Sequence, residues 1–151
     1  MARAKYQVLV IPYRVNADGV RYCVFKRSDM NIWQFISGGG EDEDACVTAS
    51  AKREAFEEAG IPEHWEYVRL DTCCSIPACC FGNYEERWGK DCFVVPEYAF
   101  GVKAESVSMV LSHEHTAFEW VDYETARSML KYDSNRTALW ELSRRIELGI
   151  L

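Results

Sequence analysis

Three glutamates stand close together at helical spacing near the middle of the chain. Glu54, Glu57 and Glu58 occupy positions i, i+3 and i+4, which places their side chains on one arc of a helix. Like charges at this spacing repel one another, whereas bound Mg²⁺, Mn²⁺ or Ca²⁺, which prefer carboxylate oxygens, would offset the repulsion. The arc is therefore either a solvated acidic face or a platform for hard cations, and three glutamates on their own favour the solvated face.

The residues around this arc bound the helix and place a glycine-rich segment before it. Residues 38–40 are consecutive glycines, which allow a ligand to approach the main chain closely. An acidic run follows, in which Asp42 or Asp44 could cap the helix and suit its dipole. Gly60 stands where a left-handed helix terminator belongs, so we predict a helix over roughly residues 44–59.

The glycine segment followed by Arg-Glu-x-x-Glu-Glu-x-Gly resembles the Nudix box, whose pattern is Gly-x5-Glu-x7-Arg-Glu-U-x-Glu-Glu-x-Gly-U, with U a bulky aliphatic residue. Ala45 departs from this pattern because the family usually has Glu there, and Ala55 is a small version of the aliphatic position. The chain is identified as a member of the Nudix hydrolase family, with its box at residues 39–61. The matching residues are Gly39, Arg53, Glu54, Glu57, Glu58, Gly60 and Ile61.

The resemblance implies an α/β fold, a Nudix-type α/β/α sandwich with a mixed β-sheet, and the pattern along the chain agrees with it. At 151 residues the chain is long enough for one domain, which we expect to span residues 1–151. The turn residues at 16–19 predict a hairpin of two strands. Further strands are expected at residues 32–36, 65–75, 92–102 and 116–121, with helices capped by Asp122 and by Asp133 or Ser134, the second ending at Gly149.

Three other features qualify this pattern. Residues 82–90 are predicted to form a mobile loop. Pro96 lacks a backbone N–H, which implies an edge or a bulge in its strand. The cysteine pairs at 73–74 and 79–80 are expected to lie buried or half-buried on strands rather than to bind metal, since adjacent strand residues point to opposite faces.

The resemblance assigns roles to the residues of the box. Glu57 and Glu58 are implied as metal ligands, with Glu54 as a further ligand or as a charge that orients the metal-bound water. The carbonyl of Gly39 is implied as an additional ligand. The expected cation is Mg²⁺, with Mn²⁺ as an alternative, because such a cation neutralises charge on phosphate oxygens and acidifies a bound water.

Arg53 is expected to hold the carboxylates in place rather than to touch the substrate. Its usual partner in the family would be the glutamate that Ala45 replaces, and Glu43 or Asp44 could reach into that role. The paired glutamates of the box are intact, so we expect activity to survive this departure.

A further acidic candidate lies far along the chain. Glu114 and His115, followed by the segment around Trp120, resemble the late Glu and Trp segment of the branch that hydrolyses dATP-like and dihydroneopterin triphosphates. This resemblance implies that Glu114 completes the metal site or takes a proton from water. His113 and His115 are expected to be loop histidines and not bases, because the chemistry of the family is normally carried by carboxylates.

Contacts to the substrate are predicted from residue type and position. Arg27, at the end of the second strand, could meet a phosphate or could simply be exposed to solvent. Trp33 and Trp88 could stack on a base or a pterin through their flat rings, and Arg87 could contact phosphate from the same segment as Trp88. Asn135 is a polar group at a helix start and becomes a ligand contact only by resemblance to the branch.

The composition limits the classes of partner. A net charge of −7 argues against nucleic-acid and membrane surfaces, which need a basic face, and it also repels anionic substrates unless divalent cations neutralise the site. The chain has neither an apolar run near the ~18–20 residues of a membrane span nor a signal-peptide core. Seven cysteines without a disulfide spacing pattern indicate reduced thiols and a cytoplasmic location.

These features predict a Mg²⁺-dependent hydrolase that cleaves a phosphoanhydride in a nucleoside triphosphate or a similar small molecule and releases pyrophosphate. The branch resemblance favours dATP or dihydroneopterin triphosphate. One alternative is hydrolysis of ADP-ribose or of a dinucleoside polyphosphate. Another is a non-catalytic Nudix domain that senses a nucleotide, for which Ala45 is the support. Because members of the family often dimerise, the resemblance also allows a homodimer.

Overall fold

A seven-stranded sheet forms the centre of the structure, a computed structural model that describes residues 3–151. Its strands are β1 (Arg3–Asn16), β2 (Gly19–Arg27), β3 (Trp33–Gln34), β4 (Ile36–Glu41), β5 (Glu66–Pro77), β6 (Val94–Lys103) and β7 (His115–Val121). The long strand β1 pairs antiparallel with β2 and β4 and parallel with β6, so the sheet is mixed. The hairpin of β1 and β2 is the one predicted from the turn residues.

Helices cover both faces of this sheet. They are α1 (Val47–Ala59), α2 (Tyr84–Trp88), α3 (Tyr123–Met129) and α4 (Asp133–Leu148), with a single 3-10 turn at Ala78–Cys80. The alanines of α1 pack on one face, while buried residues of α3 and α4 cover the other. This arrangement confirms the predicted Nudix-type α/β/α sandwich with a mixed β-sheet.

The alternation of side chains along β1 divides the core into two layers. Val8 and Val10 face α1 and pack in one cluster with Ala55. Leu9 and Ile11 face the other side and pack in the cluster that contains the buried residues of α4. All four β1 side chains are fully buried, and each such burial stabilises the fold by about 1.5–3 kcal/mol. The helix that carries the three glutamates is thereby fixed against the sheet.

This helix ends where predicted but begins later. Gly60 has φ 69°, in the left-handed region, and its N–H donates to carbonyls of the last turn of α1. At the other end α1 begins at Val47 rather than near residue 44, and Cys46 is an N-cap without a side-chain hydrogen bond. The predicted capping by Asp42 or Asp44 is therefore wrong. The Asp44 carboxylate instead accepts hydrogen bonds from the Glu41 N–H and from the side chains of Ser50 and Arg53.

Residues 82–90 contain the short helix α2, so the predicted mobile loop is wrong. The Phe81 ring meets the Trp88 ring edge-on, with centroids 5.7 Å apart. Tyr84 packs on the same small cluster, and burial of these rings explains why the segment is ordered. The buried members of that cluster are Ala78, Cys92 and Val95.

Pro96 lies where its strand has one neighbour. It pairs with Ser75 of β5, whereas pairing between β6 and β1 begins only at Glu97. The proline therefore occupies a local edge, as its missing N–H predicts.

The starts of the two C-terminal helices differ. Asp122 caps α3 by accepting a hydrogen bond from the N–H of Thr125 at 2.8 Å, as predicted. The N-cap of α4 is Tyr132, without a side-chain bond, so the predicted capping by Asp133 or Ser134 is wrong. The Asp133 carboxylate instead forms an ion pair with Arg136.

The cysteines only partly follow their prediction. Cys74 is half-buried on β5, but its neighbour Cys73 is exposed. Cys79 and Cys80 are exposed on the 3-10 turn, so the prediction of buried strand positions is wrong for them. All seven cysteines of the chain are unpaired in the structure, and the reduced state stays a prediction.

A bulge in β5 is held by Glu141 of α4. The strand shifts register between Arg69 and Cys73, and the freed N–H groups of Asp71 and Thr72 donate to the Glu141 carboxylate at 2.6 and 2.7 Å. Burial opposes ionisation of this group, but these bonds lower the pKa of Glu141 below its usual value of 4.5. A lowered pKa in the folded state contributes stability above the unfolded pKa, and that contribution is lost as the pH falls through the folded value.

We expect Glu141→Gln to lower the free energy of unfolding by about 1–2 kcal/mol near neutral pH, because charge-assisted bonds to the bulge are weakened. The difference from wild type should shrink as the pH falls below the usual glutamate pKa of 4.5. Urea denaturation across this pH range measures both effects. Glu147→Gln removes an exposed helix ion pair with Arg144 and is the control, with an expected loss under ~0.5 kcal/mol. Equal losses in the two variants, or a difference that does not depend on pH, would contradict the assignment.

Candidate active site

A cleft of about 520 Å³ opens beside the glycines of β4. Its walls bring together Arg27, Gly39, Glu54 and Glu114, which the sequence had placed in four separate segments. Glu58 is buried one helical turn after Glu54 and lies next to the cleft wall formed by the Glu114 segment. The predicted box and the predicted distal carboxylate therefore meet at one place.

Arg53 is the centre of the acidic arc. Its Nη1 donates to Glu54 Oε1 at 3.0 Å and to Glu57 Oε2 at 3.2 Å, so one guanidinium edge bridges two of the three glutamates. Its Nη2 donates to the carbonyl of Gly39 at 2.8 Å. Burial lowers the pKa of Arg53, but the hydrogen bonds that it donates to Asp44 and Glu54 outweigh burial and raise the pKa above its ordinary value. The side chain therefore stays charged and is hydrogen-bonded to two of the three glutamates, and its predicted role in holding them in place stays a prediction.

Asp44 stands in for the glutamate that is absent at position 45. Arg53 Nη2 lies 3.0 Å from Asp44 Oδ2, and Arg53 Nε lies 3.1 Å from Asp44 Oδ1. The Asp44 carboxylate also accepts from the hydroxyl of Ser50 at 2.5 Å and from the N–H of Glu41 at 3.0 Å. Burial opposes ionisation, but these bonds lower the pKa of Asp44. Of the two candidates for the partner of Arg53, the structure selects Asp44.

Two adjacent glycines of β4 make room for charged side chains. A Cβ on Gly38 would lie 2.1 Å from the carboxylate carbon of Glu54, and a Cβ on Gly39 would lie 2.3 Å from the guanidinium carbon of Arg3. Both distances are far below van der Waals contact. Neither residue has a positive φ, so glycine serves here to give space: a side chain at either position would force the charged group against it to move.

We expect Gly38→Ala to lower turnover by about 10²-fold, because the Glu54 carboxylate must move to make room for the methyl group. The clash falls on the end of a flexible side chain, so the melting temperature should change little. Gly82→Ala, where an added Cβ meets nothing within 4 Å, is the matched control. Wild-type turnover in Gly38→Ala, measured beside this control, would show that the position of Glu54 does not matter.

Burial opposes the ionisation of two of the glutamates, Glu54 and Glu58. Burial raises the pKa of Glu54 to about 7 against the opposing effect of Arg53, and the charges of Glu57 and Glu58 raise it further. Burial also raises the pKa of Glu58 to about 7, opposed by a hydrogen bond from Ser112 and reinforced by Glu114. Carboxylates in this condition gain stability from a nearby cation.

The segment before β7 is fastened to the end of α1. The N–H of Ser112 donates to the carbonyl of Glu58 at 3.1 Å, and the Ser112 hydroxyl donates to Glu58 Oε2 at 2.7 Å. The same hydroxyl accepts from the N–H of Glu114 at 3.2 Å. Ser112 therefore orients Glu58 and brings the exposed Glu114 beside it, and sequence reasoning missed this residue because its role depends on tertiary contacts.

His115 is a buried wall of the same region. Its Nδ1 lies 3.6 Å from Glu58 Oε2, and its ring is tilted against Phe25 with centroids 5.4 Å apart. Burial lowers the pKa of His115, so the ring is neutral near neutral pH. The predicted loop position is wrong for His115, because this residue begins β7 and is buried, although it also lines the cleft.

The residues predicted to contact substrate are dispersed. Arg27 lines the cleft and is ion-paired with Asp29 at 2.6 Å. Trp33 lies on β3 and packs against the α4-side core. Asn135 is buried and its Oδ1 accepts from the N–H of Phe35 at 2.9 Å, which ties α4 to the sheet. The remaining two residues, Arg87 and Trp88, pack against each other, with the Arg87 guanidinium 5.4 Å from the centre of the Trp88 ring. Arg27 is thus the one of these residues that lines the cleft, and the ligand contacts of all five stay predictions.

Several further lining residues come from β1, from β4 and from the segment after β5. Arg3, Gln7, Ser37 and Phe81 line the cleft. Gln7 could have been noticed as a polar residue entering the apolar run of β1. Arg3 and Phe81 carry no such signal, because they meet only in the folded chain.

A family model described as NUDIX domain matches residues 5–142. The chain belongs to the Nudix family. Dihydroneopterin triphosphate diphosphatase of Escherichia coli K12 is 26% identical over 133 residues, covering 87% of each chain. This relative and the family match confirm a Nudix pyrophosphohydrolase that resembles the predicted branch.

Solved structures agree on the fold. A NUDIX hydrolase of Listeria monocytogenes superposes with TM-score 0.87 at 38% identity, covering 97% of each chain. An Ap4A hydrolase of Caenorhabditis elegans superposes with TM-score 0.69 at 19% identity, covering 95% of this chain and 98% of that one. The second likeness is a likeness of fold alone.

Nudix hydrolases generally depend on divalent metal, and the donors present suit a hard cation. Glu54, Glu57 and Glu58 offer carboxylate oxygens from one helix face, with Glu114 opposite Glu58. Within residues 3–151, no three acidic, histidine or cysteine side chains already converge on a metal-sized space. The observation that favours a cation there is the burial of the Glu54 and Glu58 carboxylates, which raises the pKa of both. In the described part of the chain, no helix is both long enough and apolar enough to cross a membrane.

Proposed function

We propose that this Nudix pyrophosphohydrolase cleaves a phosphoanhydride in a nucleoside triphosphate-like substrate and releases pyrophosphate, with dATP or dihydroneopterin triphosphate favoured. The observation that carries the proposal is the pair of buried carboxylates, Glu54 and Glu58, held beside a cleft of about 520 Å³ by Arg53 and Ser112. The similarity to the E. coli diphosphatase supports the choice of substrates.

The residues beside the cleft would hold a cation or position the groups that hold it. Glu54, Glu57, Glu58 and the Gly39 carbonyl would hold Mg²⁺, or Mn²⁺ in its place, and Glu114 would complete that set or take a proton from water. When bound, the cation neutralises phosphate charge and acidifies water. Three residues would position these ligands without binding the cation. Arg53 orients the carboxylates, Asp44 holds Arg53, and Ser112 holds Glu58.

The cleft fits an anionic chain next to a flat group. Arg27 would approach phosphate on one side, and the aromatic segment that holds Phe81 and Trp88 borders the other. Arg87, Trp33 and Asn135 would contact substrate only after side chains rearrange, since none of them lines the cleft. We further propose one domain over residues 1–151, a cytoplasmic location and a homodimer. Size-exclusion chromatography with light scattering tests the homodimer by its molar mass.

Hydrolysis of ADP-ribose or of a dinucleoside polyphosphate is the second enzymatic candidate. The fold shared with the Ap4A hydrolase makes this reading structurally compatible. The sensor reading is weaker, because its support was Ala45 and the structure pairs Arg53 with Asp44 instead.

A substrate screen with Mg²⁺ tests the proposal. Purified protein is incubated with each dNTP, dihydroneopterin triphosphate, ADP-ribose and dinucleoside polyphosphates, and released phosphate and pyrophosphate are measured separately. We expect the highest kcat/KM on dATP or dihydroneopterin triphosphate. Turnover confined to ADP-ribose or dinucleoside polyphosphates would establish the second candidate, and binding without any turnover would establish the sensor.

A further inference from the structure

One cation of the cleft has no negative partner. Arg27 is bound through two bonds to Asp29, and Arg53 is bound by carboxylates of the acidic arc. By contrast, Arg3 donates from Nη2 only to the neutral Oε1 of Gln7, at 2.7 Å. Its Nε is buried and has no hydrogen-bond partner among residues 3–151, and no carboxylate of this range lies within ion-pair distance. A guanidinium so placed can accept an anion without first breaking an ion pair.

Arg3 is also held in a defined orientation. Its guanidinium carbon lies 4.8 Å from the centre of the Phe81 ring. The Gln7 side chain that binds it is fixed by a second hydrogen bond, from Gln7 Nε2 to the hydroxyl of Ser37 at 2.8 Å. Gly39 lies directly against the guanidinium, where any Cβ would clash. The planar group is therefore preorganised before a ligand arrives.

Arg3 and Glu54 of the acidic arc lie against adjacent residues of β4. Gly38 makes room for the Glu54 carboxylate and the next residue, Gly39, makes room for Arg3, so the two charges flank one short stretch of β4. Burial and the positive charge of Arg87 lower the pKa of Arg3, whereas the negative charge of Glu54 raises it.

We propose that Arg3 is a phosphate-binding cation of the cleft in addition to Arg27, and that the substrate's phosphate chain crosses the Gly38–Gly39 stretch from the carboxylates to Arg3. The fork of N–H donors on arginine matches phosphate oxygens in a two-bond geometry that lysine cannot reproduce. This inference rests on the proposed function for the nature of the substrate, but phosphate binding itself can be measured without turnover.

The test compares Arg3→Gln and Arg3→Lys with the matched control Arg14→Gln. Arg14 lies on the same strand, stacks on an aromatic ring (Trp120, 5.4 Å), and has a buried Nε without a partner among the described residues, but it lies outside the cleft. Calorimetry with inorganic tripolyphosphate in the absence of metal is the first readout. We expect affinity to fall about 10- to 100-fold in Arg3→Gln, less in Arg3→Lys, and not at all in Arg14→Gln.

Steady-state kinetics on the best substrate is the second readout, and KM should rise more than kcat falls in Arg3→Gln. Wild-type affinity for tripolyphosphate in both Arg3 variants would overturn the inference. Weaker binding of a nucleoside with unchanged binding of tripolyphosphate would also overturn it, by making Arg3 a stacking residue. Loss of tripolyphosphate binding in a protein that hydrolyses no nucleotide would keep the phosphate site and refute the proposed function. If Arg3→Gln does not fold, Arg3→Lys decides between these outcomes.

Discussion

Glu57→Gln is expected to lower kcat by about 10³-fold while the protein stays folded. Glu57 is exposed, with 51% of its side chain accessible, and contacts Arg53 at the edge of the acidic arc. Removing its charge should therefore change the free energy of unfolding by less than ~0.5 kcal/mol. The loss of a ligand for a charge-neutralising cation costs several kcal/mol in the transition state, and each ~1.4 kcal/mol is a factor of ten.

The control for this experiment is Glu124→Gln. Glu124 is an exposed glutamate in the first turn of α3, on the opposite face of the sheet. Turnover on the best substrate and the thermal melting midpoint are measured for both variants. If Glu57→Gln retains turnover within a few-fold of Glu124→Gln, the acidic arc is only a solvated surface.

Asp44→Ala is expected to reduce kcat/KM by about 10²-fold, because it removes the partner that orients Arg53 and through it Glu54. The change also leaves the Ser50 hydroxyl and the N–H of Glu41 without their acceptor, which should cost about 2 kcal/mol of stability. Placing the family's glutamate back, as Asp44→Ala with Ala45→Glu, should restore part of the activity. Kinetics and urea denaturation on the two variants measure both effects.

Glu43→Ala is the control for this pair, since Glu43 is exposed and was the other candidate partner of Arg53. Its activity and stability should match wild type. Loss of activity in Glu43→Ala but not in Asp44→Ala would contradict Asp44 as the functional partner of Arg53. A double variant no better than Asp44→Ala alone would show that position 45 cannot supply the partner in this chain.

Much of the site could be predicted because its chemistry imposes spacing on the sequence. Glu54, Glu57 and Glu58 fall on one helix arc at positions i, i+3 and i+4, so the acidic arc is visible without a structure. The left-handed end at Gly60 is visible for a similar reason, since few other residues adopt that conformation. The sheet and its helical layers were implied by the resemblance to the Nudix family, and the pattern of strands and helices along the chain agreed with it.

What could not be predicted depends on contacts between distant segments. Ser112 reaches Glu58 only because the segment before β7 docks on α1. Arg3 meets Phe81 across the sheet, and neither residue belongs to a pattern. The start of α1 was misplaced because Asp44 has two possible uses near a helix, capping and pairing with Arg53, and local sequence cannot rank them.

³¹P NMR of the reaction products with dATP or dihydroneopterin triphosphate and Mg²⁺ decides whether this chain is a cation-dependent pyrophosphohydrolase. Wild-type protein should give the monophosphate and pyrophosphate in equal amounts, with no reaction when the cation is chelated. Glu57→Gln under the same conditions should give almost no product. Release of orthophosphate and a diphosphate, or equal rates with and without the cation, would contradict the account.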